Sequence, residues 1–112
     1  MSETGTTYRR SFKGLAIEAA EVRAWTKKRT NHPDAQQIAH ELFVAILGSG
    51  ADTIDITLST AGSRLRITAT GPQPLPLRHS HGPGWPIVAG LCSSTGITTD
   101  ECGLWAQTEA TT

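Results

Sequence analysis

The sequence predicts an α+β fold, a two-layer sandwich with helices packed on one face of a mostly antiparallel sheet. Three observations predict it. Apolar residues recur at helical spacing through two segments between Leu15 and Leu47. Across Gly48 to Asp52 the hydrophobic period then changes from 3.6 to 2, and Ile54, Ile56 and Leu58 fall on one side of a strand, with Thr53, Asp55, Thr57 and Ser59 on the other. Finally, 112 residues that are 38% hydrophobic and 18% charged suffice for one core and not for two. That single domain is expected over residues 8–107, between two polar tails, 1–7 and 108–112, that carry no apolar anchor.

Tyr8 to Lys13 alternates bulky and polar residues and reads as a short edge strand ended by Gly14. From Leu15 to Arg29, Ile17, Ala20, Val22, Ala24 and Trp25 follow helical spacing, with Glu18, Glu21, Arg23, Lys27 and Lys28 left for solvent. Asn31 to Asp34 breaks this helix, and Pro33 suits the opening turn of the next. The second helix should run from Asp34 to Leu47, bury Ile38, Leu42, Ala45 and Ile46, and stop at Gly48-Ser49-Gly50. After the strand at 52–59, a turn at Ala61-Gly62-Ser63 leads into Arg64 to Thr70, where Leu65, Ile67 and Ala69 repeat the alternation and complete a hairpin. Residues 71–84 hold four of the six prolines, a composition that excludes helix interior and central strand and implies a long, stiff loop. A short helix opened by Pro86 and two closing strands, around 96–99 and 103–107, finish the domain. Trp25 and Trp105 read as core anchors, whereas Trp85 beside the proline-rich loop is balanced between core and binding surface.

Charge and cysteine content narrow the function. Ten Lys and Arg balance ten Asp and Glu, so no long-range field draws in nucleic acid or an anionic membrane. Neither an apolar run long enough to span a bilayer nor a secretion signal is visible, which gives a cytoplasmic expectation. Cys92 and Cys102 are not spaced as a zinc or CxxC pair and are read as reduced. His79 and His81 lack a third ligand nearby, so no metal is expected.

The order of elements narrows further where particular residues join it. Ala24-Trp25 in the first helix, His40-Glu41-Leu42 in the second, Arg64-Leu65-Arg66-Ile67 closing the hairpin and Gly82-Pro83-Gly84-Trp85-Pro86-Ile87-Val88 occur in a characteristic sequence. From about Ala19 to Trp105 the chain thereby resembles the small actinobacterial anti-sigma-factor serine kinases, which belong to the histidine-kinase-like (GHKL, Bergerat-fold) ATPases. The resemblance implies ATP and magnesium as cofactors. It assigns Glu41 as general base, and it puts a magnesium-ligating Asn one turn later, where this chain has Ala45. It puts an adenine-binding Asp, the first residue of a DxGxG turn, where this chain has Gly71, and a supporting Thr near Leu104. Only Gly82 and Gly84 survive from the phosphate-wrapping lid, and Pro83 removes one backbone N–H from it.

Each missing polar contact is worth about 1.5 to 3 kcal/mol. Two or three such losses weaken nucleotide binding by about 10²- to 10⁵-fold. The expectation is therefore a degenerate, non-catalytic relative with no cofactor, acting by protein binding in bacterial transcription control. The implied partner is a sigma factor, an anti-anti-sigma protein or a helix-turn-helix regulator, with no direct contact to nucleic acid; homodimerisation stays open. Glu41 is then most simply solvated or ion-paired. Candidate partner-binding residues are Arg23, Lys27 and Lys28 on the first helix and Leu75, Leu77 and Trp85 at the margins of the proline-rich loop. The alternative is an active serine kinase in which another residue replaces Ala45 as metal ligand and Glu41 is the base.

Overall fold

The computed structural model describes residues 5–75 and 90–109. Within them an α+β architecture forms from β1 (Gly5–Lys13), α1 (Ala19–Arg29), α2 (Ala35–Leu47), β2 (Thr53–Ala61), β3 (Arg64–Thr70), β4 (Ser94–Ile97) and β5 (Gly103–Glu109). The strands make one sheet in the order β1-β2-β3-β5-β4, and every neighbouring pair is antiparallel.

Alternation decides which way each strand faces. Ile54, Ile56 and Leu58 of β2, Leu65, Ile67 and Ala69 of β3, and Leu104 and Ala106 of β5 are all buried in one core with α2. The expected inward residues of the hairpin are therefore the observed ones. The hairpin turns at Gly62-Ser63, where Gly62 has φ +59, the left-handed geometry that a tight two-residue turn requires at its first position.

The expected tails are shorter than the sequence implies. Residues 5–7 belong to β1, because β2 continues to Ala61 and offers Gly5, Thr6 and Thr7 the backbones of Ala61, Thr60 and Ser59. At the other end, Thr108 is buried opposite Leu65, and Glu109 still pairs with Arg64. A chain without apolar anchors is held here by ladder hydrogen bonds, with the Thr7 and Ser59 hydroxyls 3.3 Å apart beside them. The first closing strand is Ser94–Ile97 and not 96–99, since Thr98 leaves the sheet to build a turn. Its hydroxyl donates to the Asp100 carboxylate at 2.6 Å and accepts from the Gly103 N–H at 3.0 Å.

The largest correction concerns α1. The helix proper begins at Ala19 after a single 3₁₀ turn, Ala16–Glu18, and buries Val22, Trp25 and Thr26. Ile17, Ala20 and Ala24, expected inside, are exposed, Ile17 to 82%. Trp25 sets the rotation by meeting Phe12 of β1 edge-on at 5.9 Å, which brings Thr26 under cover as well. Thr26 tolerates burial because its hydroxyl donates to the Val22 carbonyl at 2.8 Å. Ile17 falls in the 3₁₀ turn, whose three-residue step takes it off the α-helical stripe.

In α2, Ile38, Leu42 and Ile46 are buried as expected, joined by Ala35, Ala39 and Phe43. The stripe is wide because α2 touches α1 on one side and β2, β3 and β5 below. Ala45 lies at its margin, half-buried against the core. Pro33 sits in the turn just ahead of the helix. No helix among the described residues is long and apolar enough to cross a membrane.

Candidate functional site

Two surfaces hold the residues of interest, one under the C-terminal half of α2 and one on the opposite side of the sheet. In the first, β3 ends at Thr70 opposite Gly103, and the Gly71 N–H donates to the Cys102 carbonyl at 2.9 Å. Gly71 and Leu104 therefore lie at one end of the sheet, beneath the end of α2. A Cβ on Gly71 would stand 3.1 Å from the Ala51 Cβ and 3.4 Å from Ile46 Cγ2. Leu104 is fully buried in the core, and Ala45 packs against the same core from α2. The three positions that the resemblance assigns to metal and purine are thus brought near one another, but in apolar surroundings. Beside them a shallow groove of about 180 Å³ is lined by Ser49 to Asp52 and Pro72 to Pro74. That is smaller than typical small-molecule sites, which run from about 300 Å³ upward.

Glu41 lies one turn earlier on α2, with its side chain 13% exposed. One carboxylate oxygen accepts from Gln37 Nε2 at 3.2 Å and stands 3.9 Å from His40 Nε2. His40 in turn meets Arg23 of α1, with Nδ1 2.7 Å from the guanidinium. Arginine has no proton acceptor to offer, so Nδ1 is the accepting nitrogen and Nε2 carries the hydrogen. Arg23, Gln37, His40 and Glu41 form a polar seam in which the Arg23–His40 bond ties α1 to α2. Arg23 is half-buried in this seam, whereas Lys27 and Lys28 remain exposed.

Leu75 is half-buried and packs against the core, and its N–H donates to the Glu101 carbonyl at 2.8 Å. Leu77, Gly82, Gly84 and Trp85, together with His79, His81 and most of the expected short helix, lie outside the described residues. Cys92 and Cys102 are free thiols. Burial pushes the Cys92 thiol up to about 11, with a smaller contribution from the Asp34 carboxylate, so it stays protonated at neutral pH. Among the described residues no three His, Cys, Asp or Glu side chains converge on one point.

The second surface is the face of the sheet opposite α1 and α2, which no other described element covers. Ser11 and Arg9 of β1 both donate to the Asp55 carboxylate of β2. Burial alone would raise the pKa of Asp55; the hydrogen bonds from Ser11 and Arg9, with the arginine charge, outweigh it and hold the group below the usual carboxylate range. On the far side, Trp105 of β5 lies between Arg66 and Gly96. The guanidinium sits 4.2 Å from the ring centroid while its Nε donates to Gln107 at 3.1 Å. A Cβ on Gly96 would fall 2.7 Å from three atoms of the indole, so glycine is what lets the ring lie down there.

Trp105 is therefore half-buried on the outer face and not the core anchor the sequence suggested. The signal was available: Leu104, Ala106 and Thr108 alternate inward, which forces Trp105 and Gln107 outward. The Arg9–Ser11–Asp55 cluster had no such signal, because its members are about 44 positions apart and only the strand register joins them. No protein-family model and no curated protein matches the chain.

Proposed function

We propose that this protein is a non-catalytic regulator that works by binding another protein, built on the layout of the anti-sigma-factor serine kinases but without nucleotide chemistry. The observation that carries this reading is the apolar packing of Ala45, Gly71 and Leu104. None of the three can ligate a metal or bond a purine, and Leu104 has no path to solvent without opening the core. An active kinase is less favoured because Glu41 already accepts a hydrogen bond from Gln37, with Ala45 where the metal ligand would stand. The reading places the chain in the cytoplasm of a bacterium, with a sigma factor, an anti-anti-sigma protein or a helix-turn-helix regulator as partner.

Crosslinking capture from the native host, with the tagged full chain and with ATP present or depleted, tests it. One regulatory protein should be recovered in near-equal amount in both conditions, with no transfer of labelled γ-phosphate to it. Capture that requires ATP, or phosphate transfer that Glu41→Gln abolishes, would restore the kinase reading.

A further inference from the structure

We propose that a hollow on the outer face of the sheet binds a phosphate group, carried by a small monoester or present as the free ion. The strand register lays Thr7, Ser59, Arg66, Gln107 and Ser94 side by side in one row across all five strands. The next row, toward the β2–β3 turn, begins with Gly5 and Ala61, which have almost no side chain to fill the space beside the first. An open hollow of about 290 Å³ results, with Thr7, Ser59, Arg66 and Gln107 along one side and Arg64 in the second row. That volume lies at the lower limit of small-molecule sites, about 300 Å³, and suits a phosphate with few atoms attached.

Arg66 gives the hollow its chemistry. Its guanidinium lies 4.2 Å from the Trp105 ring centroid and its Nε donates to Gln107 at 3.1 Å, so the group is held in place before any ligand arrives. Among the described residues its two terminal nitrogens have no hydrogen-bond partner. They offer charged N–H donors in the fork geometry that phosphate oxygens accept. Beyond them the Thr7 and Ser59 hydroxyls stand 3.3 Å apart, and whichever donates to the other, one O–H remains for an anion. Arg64 adds positive charge on the same face, but it has an interaction of its own and the site does not depend on it.

These groups select an anion over a cation or a sugar. Asp55, the carboxylate that faces the same way from β2, lies opposite Thr70, four residues along β3 from Arg66, and is already bound by Arg9 and Ser11. The Trp105 ring carries Arg66 and lies against Gly96, so it offers a sugar no open stacking face. What remains in the hollow is a fixed positive charge and hydroxyl donors on two sides of it. A tetrahedral phosphate, with oxygens pointing in different directions, can engage both sides at once.

Proton–nitrogen NMR spectra of the full chain at neutral pH test the site, titrated with sodium phosphate and separately with glycerol phosphate, each against sodium chloride at matched ionic strength. Melting curves confirm that every variant is folded. Saturable shifts should appear at the Arg66 Nε–H and at the Thr7 and Ser59 amides, with a Kd of about 1 mM. Glycerol phosphate binding more tightly than inorganic phosphate identifies a monoester as the ligand, and binding no tighter identifies the free ion. Arg66→Gln should weaken binding by about tenfold or more, and Thr7→Val with Ser59→Ala by about threefold or more. Arg9→Gln removes a positive charge that Asp55 already holds, and it should bind as wild type does. The proposal is overturned by the absence of any saturable shift beyond the chloride control at about 20 mM phosphate. It is equally overturned if Arg66→Gln or the double hydroxyl variant binds as wild type does, or if Arg9→Gln weakens binding as much as Arg66→Gln.

Discussion

β2 and β3 send alternate residues to two faces of one sheet, and the two faces have become different materials. Ile54, Ile56, Leu58, Leu65, Ile67 and Ala69 point into a core closed by α2, where shape decides what fits. Asp55, Thr57, Ser59, Arg66 and Thr68 point the other way, where Asp55, Ser59 and Arg66 make hydrogen bonds and a stacking contact and the described residues form no covering layer. The lesson is that stability resides on one face and freedom to vary on the other. Gly71 and Leu104, two of the positions that the resemblance assigns to a nucleotide, fall on the first.

Substitution across the two faces should expose that contrast. Phe43 is fully buried in α2 and meets Phe12 edge-on at 6.2 Å. Phe43→Ala should cost about 3 to 5 kcal/mol, and thermal melting should register a fall in Tm of more than about 10 °C. Thr57→Ala, on the open face, should stay within about 0.5 kcal/mol of wild type; comparable losses for the two would erase the distinction.

Gly96→Ala probes Trp105, the one large ring that the described residues place on the open face. With the new Cβ 2.7 Å from the indole, Trp105 must swing outward, at a cost of about 1 to 2 kcal/mol. Tryptophan fluorescence should shift to longer wavelength as the ring gains water, and an unchanged spectrum would contradict the placement.

Asp55→Asn removes the charge that Ser11 and Arg9 hold. Since folding lowers the carboxyl pKa, its contribution is present above the unfolded value near 3.8 and is lost as pH falls through the lower folded value. The variant should be less stable than wild type by about 1 kcal/mol at pH 7 in chemical denaturation, and the gap should close as the pH falls through the lowered folded value. A gap that persists in acid would place the cause elsewhere. Arg66→Ala should have a smaller effect than Gly96→Ala, about 0.5 to 1 kcal/mol, because its stacking on Trp105 is solvent-exposed.

Most of the fold was legible because the sequence changes period where the chain changes element. The switch at Gly48 to Asp52 separates α2 from β2, and the inward residues of β2 and β3 follow from simple alternation. Ile17 was not legible for the converse reason: a 3₁₀ turn and a 3.6-residue helix look alike over one turn, and only Trp25 against Phe12 fixes the rotation. Residues 5–7 and 108–109 were unreadable because a strand with no apolar face is recognised by its neighbour's length and not by its own composition. At the candidate site, Ala45, Gly71 and Leu104 could be seen from sequence as lacking polar groups. Their apolar packing depends on how α2 meets the sheet, and the Arg23–His40–Glu41–Gln37 seam on how α1 meets α2, which local pattern does not encode.

Amide chemical shifts recorded during a titration with magnesium and ATP test the central claim most directly, since they report on Glu41, Ala45, Gly71 and Leu104 individually. Apolar packing at these positions predicts no saturable change there up to nucleotide concentrations of about 5 mM, well above an ordinary cofactor Kd. A saturable shift at Gly71 and Ala45 with ATP, absent with GTP, would contradict it and place a working nucleotide site under the end of α2.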